Sequence, residues 1–225
     1  MPLILNIETS TTLCSVSLAK AGKIIASKEV NEGFTHAENL HVFIEEVLAN
    51  AGKSTTDLNG IAVGSGPGSY TGLRIGVSAA KGLAYSLQIP LIAVNTLQTM
   101  TAVAVQENES DILFCAMLDA RRMEVYTAIF DKDLNTVKET SAQILPEALS
   151  FFETGKSICF FGDGMPKCKE LLSQIPNSIF LEGIVPSASG LVELSYQRHS
   201  KGQFEDVAYF EPFYLKNFLI NTKTS

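Results

Sequence analysis

The sequence has few of the residues on which catalytic and metal sites are commonly built. Its 225 residues include four cysteines, none in a C-x-x-C pair, and three of them lie inside apolar, strand-like runs. Cysteines in such surroundings are typically buried thiols in a reducing compartment, so no disulfide is expected. No Gly-x-Ser-x-Gly motif with a partner histidine is present, so we expect no serine nucleophile and no catalytic residues.

Histidine is equally scarce, with three in the chain. His36 and His41 are five positions apart, which separates them by about 140° around a helix. Helical zinc pairs need a spacing of three or four residues. The sequence therefore predicts no metal site and argues against a metalloprotease.

A basic surplus and a membrane-spanning run are also lacking. Lysine and arginine number 17 against 24 acidic residues, for a net charge of −7, whereas a phosphate-binding surface is basic. Alone, the chain is not expected to be a major nucleic-acid binder, although another subunit could supply that charge. No apolar run approaches the roughly 20 residues of a membrane helix. Residues 1–5 lack the basic start of a signal peptide, so we expect a cytoplasmic protein without membrane contact.

Apolar periodicity predicts an α/β fold. Strands at 3–7, 13–19 and 24–30 are joined by short polar turns, a pattern typical of an antiparallel meander. Alternating helices and strands follow. The helices are expected at about 36–51, 70–87 and 96–105, and the strands at 57–65 and 90–94.

The same element order is predicted again after a polar stretch at 106–111. A second meander at 112–118, 124–130 and 137–144 precedes further strands and short helices. We therefore expect two lobes, each a mixed sheet of a three-strand meander plus parallel strands, covered by helices. The N-terminal lobe would comprise 1–106, completed by the aromatic tail 208–225, and the smaller C-terminal lobe would comprise 107–207.

The most distinctive stretch is GSGPGSYTGLRIG at 64–76. Its first three glycines surround Pro67 between a predicted strand and helix, where backbone at positive φ can approach a neighbour closely. Free N–H groups at such a helix start can bind an anion. Ser69 is expected to cap the helix.

Small residues recur at every fourth position of that helix and rotate by only about 40° per step, which makes a groove with almost no side chain. They are Gly72, Gly76, Ala80 and Ala84. The groove either seats the helix on its own sheet or preceding helix, or admits a partner.

Motifs along nearly the whole chain resemble the TsaB family. They are LILNIETST at 3–11, CSVSL at 14–18, GPGSYTGLRIG at 66–76, AKGLA at 80–84, Asp119-Ala-Arg121, Glu124-Val-Tyr126 and PFYL at 212–215. The resemblance implies a two-lobed actin-like, RNase-H-like fold. It also implies a non-catalytic subunit that binds TsaD, the paralogous transferase for N6-threonylcarbamoyladenosine (t6A) at position 37 of ANN-decoding tRNAs.

The resemblance further implies an interface on the helices of the N-terminal lobe, used with TsaD or with a second copy. TsaE, an ATPase, is the other expected partner. The chain would hold no cofactor, with ATP or ADP and metal on partner subunits, and tRNA would be contacted only through the complex. The candidate interface residues are Gly72, Leu73, Arg74, Gly76, Val77, Ala80 and Ala84, with Leu40, Ile44 and Val47 of the preceding helix.

The alternative is a stand-alone actin-like ATP hydrolase or phosphotransferase. Actin-like enzymes carry an acidic residue and a glycine in the first hairpin turn, but this turn has Glu8 and no glycine. Without glycine the backbone approaches a phosphate less closely. Glu8, Thr9 and Ser10 are therefore expected to form a solvated turn or a weak nucleotide contact.

Two interpretations of the polar residues in the second hairpin turn stay open. Asp119 and Arg121 could form a site between the lobes, or Arg121 could pair with Asp119 or Glu124 to hold the hairpin. Asp163, between two glycines, is expected to be part of an ordinary turn.

Overall fold

The computed structural model describes residues 1–33, 35–108 and 111–215. The strands are β1 (Leu3–Glu8), β2 (Cys14–Lys20), β3 (Lys23–Val30), β4 (Gly60–Gly64), β5 (Leu91–Val94), β6 (Leu113–Asp119), β7 (Glu124–Phe130), β8 (Thr136–Ile144), β9 (Ile158–Phe161) and β10 (Ser178–Leu181). The α-helices are α1 (His36–Asn50), α2 (Tyr70–Leu87), α3 (Thr96–Glu107), α4 (Lys169–Leu172) and α5 (Ala188–Ser200). Short 3₁₀ turns lie at Thr55–Asp57, Leu149–Phe152 and Pro166–Cys168.

Two five-stranded mixed sheets have the same strand order relative to the chain. The first runs β3-β2-β1-β4-β5 and the second β8-β7-β6-β9-β10. In the first sheet Leu5 pairs with Leu18 across an antiparallel ladder and with Ile61 across a parallel one. The predicted duplication of a meander plus parallel strands is therefore confirmed.

Helices cover both faces of the first sheet. As a result β1 is buried at every position, and its alternate side chains enter different cores. Leu5 and Ile7 pack with α1 and α2 in one apolar cluster. Ile4 packs on the opposite face with Leu191 and Leu194 of α5. Helix α3 contacts both α5 and β6, and so links this layer to the second sheet.

Helix α5 follows the second sheet in the chain but contacts all five strands of the first. Two serine hydroxyls fix it there. Ser17 Oγ donates to the carbonyl of Ala188 at 2.9 Å, and Ser195 Oγ donates to Asn6 Oδ1 at 2.7 Å. The division at 107–207 stays a prediction of the domain boundary, and α5 belongs spatially to the first sheet.

The described part of the C-terminal tail returns to the first sheet. Glu205 N–H donates to Leu91 O at 2.9 Å, and Phe213 N–H donates to Ser65 O at 2.7 Å. Lys81 Nζ holds the segment between them through the carbonyl of Phe210 at 2.8 Å. Residues 216–225 of the predicted tail lie outside the described residues.

Two further observations concern the body of the chain. All four cysteines are buried and unpaired, as predicted. Among the described residues, no helix combines the length and apolar character needed to cross a membrane.

Candidate functional site

The loop between β4 and α2 directs its N–H groups into the chain rather than outward. Ser69 N–H donates to Ser10 O at 2.7 Å, Gly66 N–H donates to Thr96 Oγ1 at 3.1 Å, and Ser65 N–H donates to Val94 O at 2.8 Å. Ser69 Oγ caps α2 by accepting from Gly72 N–H at 3.3 Å, as predicted. These four donors are therefore already used within the chain and are not available to an anion at the helix start.

Glu8 is fully buried rather than solvated. Its Oε1 accepts the backbone N–H of Ser10 at 2.8 Å, while Oε2 has no hydrogen-bond partner among the described residues. A Cβ added at Gly64 would lie 2.1 Å from that Oε2, so the glycine makes room for the carboxyl. Burial raises the pKa of Glu8 against the opposing effect of its hydrogen bonds.

Thr9 and Ser10 are buried with Glu8. The predicted solvated turn is therefore wrong, because α2 and the glycine loop cover it. The weak nucleotide contact of these residues stays a prediction.

The small-residue stripe of α2 faces this turn. A Cβ added at Gly72 would lie 2.1 Å from Thr9 O, and one at Gly76 would lie 2.2 Å from Thr9 Oγ1. Ala80 and Ala84 are also buried, within the core that α2 shares with the first sheet. The stripe seats α2 on its own chain, and the prediction that it is a groove open to a partner is wrong.

Most of the other candidate interface side chains point inward too. Each is at most 4% exposed and packs in the body of the chain; they are Leu40, Ile44, Val47, Leu73 and Val77. Arg74 is the exception, since it is exposed and its guanidinium lies 4.5 Å from the ring centroid of Tyr70. Of the predicted set, only Arg74 is accessible.

The outer side of α1 and α2 carries residues that the sequence reasoning missed. Ser78 and Gly82 are exposed one turn apart, and a Cβ at Gly82 would meet nothing within 4 Å. Tyr85 and Val42 are 79% and 49% exposed. We call Val42, Arg74, Ser78, Gly82 and Tyr85 the outer face. The sequence contains a pattern that indicates this face, because Ser78, Gly82 and Ser86 repeat the four-residue spacing two positions away from the buried stripe.

The second hairpin turn differs from the sequence prediction. Lys167, not Arg121, forms the ion pair with Asp119, and Lys167 Nζ also donates to Glu124 O at 2.7 Å. Arg121 donates its backbone N–H to Asp119 Oδ1 at 2.8 Å, and among the described residues its guanidinium forms no ion pair with that carboxylate. The predicted ion pair between Arg121 and Asp119 is therefore wrong, while the alternative of a site between the lobes stays a prediction.

Asp163 does more than occupy a turn. Its Oδ1 accepts the backbone N–H of Asp119 at 2.9 Å. Although Asp163 as a whole is exposed, desolvation of its carboxyl raises the pKa of this group. The loop after β9 is thereby fixed to the end of β6.

The two histidines of α1 lie on different sides of the helix. His36 is buried with Nε2 2.7 Å from Thr11 O, whereas His41 is exposed. No group of three potential metal-ligating side chains is present in the part of the chain that the structure describes.

The two sheets have the same strand order. In each, the first hairpin turn is hydrogen-bonded to the loop that follows the first parallel strand after the meander. This arrangement is the two-lobed actin-like fold. The activator of the 2-hydroxyisocaproyl-CoA dehydratase from Clostridium difficile shares this fold, with a TM-score of 0.51 over 91% of this chain and 98% of that chain at 9% identity. A likeness at that identity concerns the fold alone.

Closer similarity identifies the family. The family model described as TsaD: tRNA N6-adenosine threonylcarbamoyltransferase matches residues 31–211. The tRNA threonylcarbamoyladenosine biosynthesis protein TsaB of Escherichia coli (strain K12) is 33% identical over 221 residues, covering 95% of this chain and 94% of that protein. The structure of YeaZ from Pseudomonas aeruginosa has a TM-score of 0.81 at 28% identity, covering 96% of this chain and 100% of that one. The chain belongs to the TsaB family of tRNA threonylcarbamoyladenosine biosynthesis proteins.

Proposed function

We propose that this chain is an accessory subunit that binds TsaD and activates it for t6A formation at position 37 of ANN-decoding tRNAs. Family membership supports the pathway. The observation that carries the accessory role is the closed first turn, where Glu8 is buried behind Gly64 and bonded to Ser10. A carboxylate that holds magnesium and phosphate must face the ligand, and this one faces its own chain.

On this proposal the chemistry and its cofactors belong to the partners. TsaD performs the transfer, TsaE supplies ATP turnover, and ATP or ADP and metal are held by those subunits. The chain has no cofactor of its own, and tRNA reaches it only within the complex.

The outer face is the proposed docking surface for TsaD, and for a second copy when TsaD is absent. Tyr85 and Val42 offer exposed apolar side chains, and large exposed apolar groups are typical of interface cores. Ser78 and Gly82 of the same face carry little bulk, which lets a partner helix approach closely. The match of this chain to the TsaD family model supports a pairing of equivalent helices across a pseudo-twofold axis.

Co-purification with TsaD, followed by a t6A assay with and without this chain, tests the proposal. Gly82→Leu is expected to fold normally and lose TsaD, because its added side chain enters open space in the monomer but blocks the outer face. Gln197→Leu, an exposed change on α5 across the sheet from α2, is the matched control and should bind as the wild type.

Three results would count against the proposal. TsaD binding that survives Gly82→Leu would move the interface elsewhere. Transfer by TsaD that is equally fast without this chain would remove the activating role. ATP hydrolysis by the isolated chain that is lost in Glu8→Ala would instead support a stand-alone nucleotide hydrolase.

A further inference from the structure

The tip of the β6–β7 hairpin presents two adjacent arginines to solvent. The strands end at Asp119 and resume at Glu124, and Ala120 N–H closes the loop on Glu124 O at 3.1 Å. Arg121 and Arg122 between them are both exposed. Among the described residues, neither guanidinium has a hydrogen bond or an ion pair.

The backbone of this tip is unfavourable for arginine. Arg121 has φ of +71° and Arg122 has φ of +50°. A side chain in this left-handed region costs on the order of 1 kcal/mol relative to glycine. Among the described residues, the attraction between Arg121 and the exposed Asp119 carboxylate is the interaction that opposes this cost, and neither guanidinium forms an ion pair. We therefore look for a further, external contact.

The acidic groups below the tip are already engaged. Lys167 is paired with Asp119, and Asp163 accepts the backbone N–H of Asp119. The arginines are therefore not drawn down onto these carboxylates. Their charge remains directed to solvent on a chain whose net charge is −7.

The first hairpin turn provides an internal comparison. Ser10 N–H donates to Glu8 Oε1 at 2.8 Å, and Arg121 N–H donates to Asp119 Oδ1 at 2.8 Å, so the two turns share this hydrogen bond, but Arg121 has a positive φ and Ser10 does not. The first turn is buried under the glycine loop, whereas the second is open. The side chains of Glu8 to Ser10 are buried, whereas those of Arg121 and Arg122 are open to a ligand.

We propose that Arg121 and Arg122 bind phosphates of the tRNA backbone when the chain is assembled with TsaD, an inference that rests on the proposed function. Guanidinium forks match phosphate oxygens in geometry and charge. A phosphate contact needs charge alone, whereas the core of a protein interface is built on apolar anchors. Ala120 and Met123 beside the arginines are half-buried and offer no such anchor.

Titration of the purified complex with an unmodified transcript of an ANN-decoding tRNA, at several salt concentrations, tests the proposal. Arg121→Gly and Arg122→Gly are each expected to weaken binding about fivefold to tenfold, and to lower the salt slope by about one per arginine. Arg→Lys at either position should restore most of the affinity. Lys20→Ala with Lys201→Ala removes two exposed charges elsewhere and is the matched control for the double glycine variant.

Stability provides the second readout. Glycine relieves the positive φ, so both glycine variants should unfold at the same or a higher temperature while binding tRNA less tightly. A lower unfolding temperature would indicate a structural role and overturn the proposal. Unchanged affinity and salt slope in the double glycine variant would overturn it as well.

Association with TsaD is measured before RNA is added, which separates the two proposals. Loss of TsaD from the glycine variants alone would show that the tip contacts protein, contrary to the inference. If the wild-type chain itself does not bind TsaD, the proposed function fails. The RNA contact, which requires the assembled complex, then fails with it, whereas normal TsaD binding together with unchanged tRNA affinity rejects the RNA contact alone.

Discussion

The hydroxyl of Thr9 donates a hydrogen bond to the backbone carbonyl of Gly72 at 2.8 Å, across 63 positions of the chain. The contact fixes the turn after β1 against the first turn of α2. It is also where glycine is required, since a Cβ at Gly72 would lie 2.1 Å from the Thr9 carbonyl oxygen. The atom in the way is backbone, which cannot rotate aside.

Gly72→Ala is therefore expected to destabilise the chain by about 1–3 kcal/mol, the usual cost of forcing extra volume into a packed interior. Urea unfolding followed by circular dichroism measures it. An unchanged midpoint would show that the turn does not pack on α2 in solution.

Gly82→Ala should have the opposite effect. Gly82 lies ten residues further along α2 in open space, with no strained φ. Alanine in an exposed helix interior is favoured over glycine by about 0.5–1 kcal/mol. The same urea experiment should show a higher midpoint, and a loss of stability would mean that the outer face is covered within the monomer.

Gly72 and Gly82 show which features of α2 can be predicted from the sequence. The bounds of α2 were predicted as 70–87 and are Tyr70–Leu87, because local chemistry sets both ends. Ser69 caps the start, and Gln88 at φ of +55° ends the helix. The direction of the stripe was not local information, since glycines at four-residue spacing look alike whether they face Thr9 or a partner.

The other differences between the sequence predictions and the structure arise because residues far apart in the chain contact each other. Arg121 was the cation nearest to Asp119 in sequence, but Lys167, 48 positions away, takes the carboxylate. The order of elements along the chain assigns α5 to the second lobe, because this helix follows the strands of the second sheet. Its attachment to the first sheet combines an apolar cluster with buried serine hydrogen bonds, and the serine bonds leave no periodic signal in the sequence.

Ser195→Ala tests that attachment. Ser195 Oγ is the donor to the buried Oδ1 of Asn6, and removal would leave this acceptor unsatisfied. We expect a loss of about 1–3 kcal/mol, together with faster hydrogen exchange in both α5 and β1. Ser200→Ala on the exposed end of α5 is the control and should change stability by no more than about 0.5 kcal/mol. Faster exchange in the second sheet instead would contradict the assignment of α5 to the first.

Glu8→Gln addresses the buried carboxyl. Burial raises the pKa of Glu8 in the folded chain above its ordinary value, which is about 4.3 in an unfolded chain. Below that pH both states hold the proton, and the stabilising effect of the raised pKa is fully present. As the pH rises toward the folded pKa, the unfolded state ionises while the folded state keeps its proton, so stability falls by up to about 1.4 kcal/mol per pH unit.

Glutamine cannot ionise, so the variant should lack this descending arm of the stability profile. The informative quantity is the slope of unfolding free energy against pH, because the amide beside Gly64 adds a pH-independent offset of its own. We expect the stability of the variant relative to wild type to increase steadily as the pH rises above about 4.3, where the unfolded glutamate ionises. Urea titrations at matched ionic strength measure both slopes. Parallel profiles for the two proteins would show that Glu8 keeps an ordinary pKa in the folded chain, and would require a turn more open than the one described.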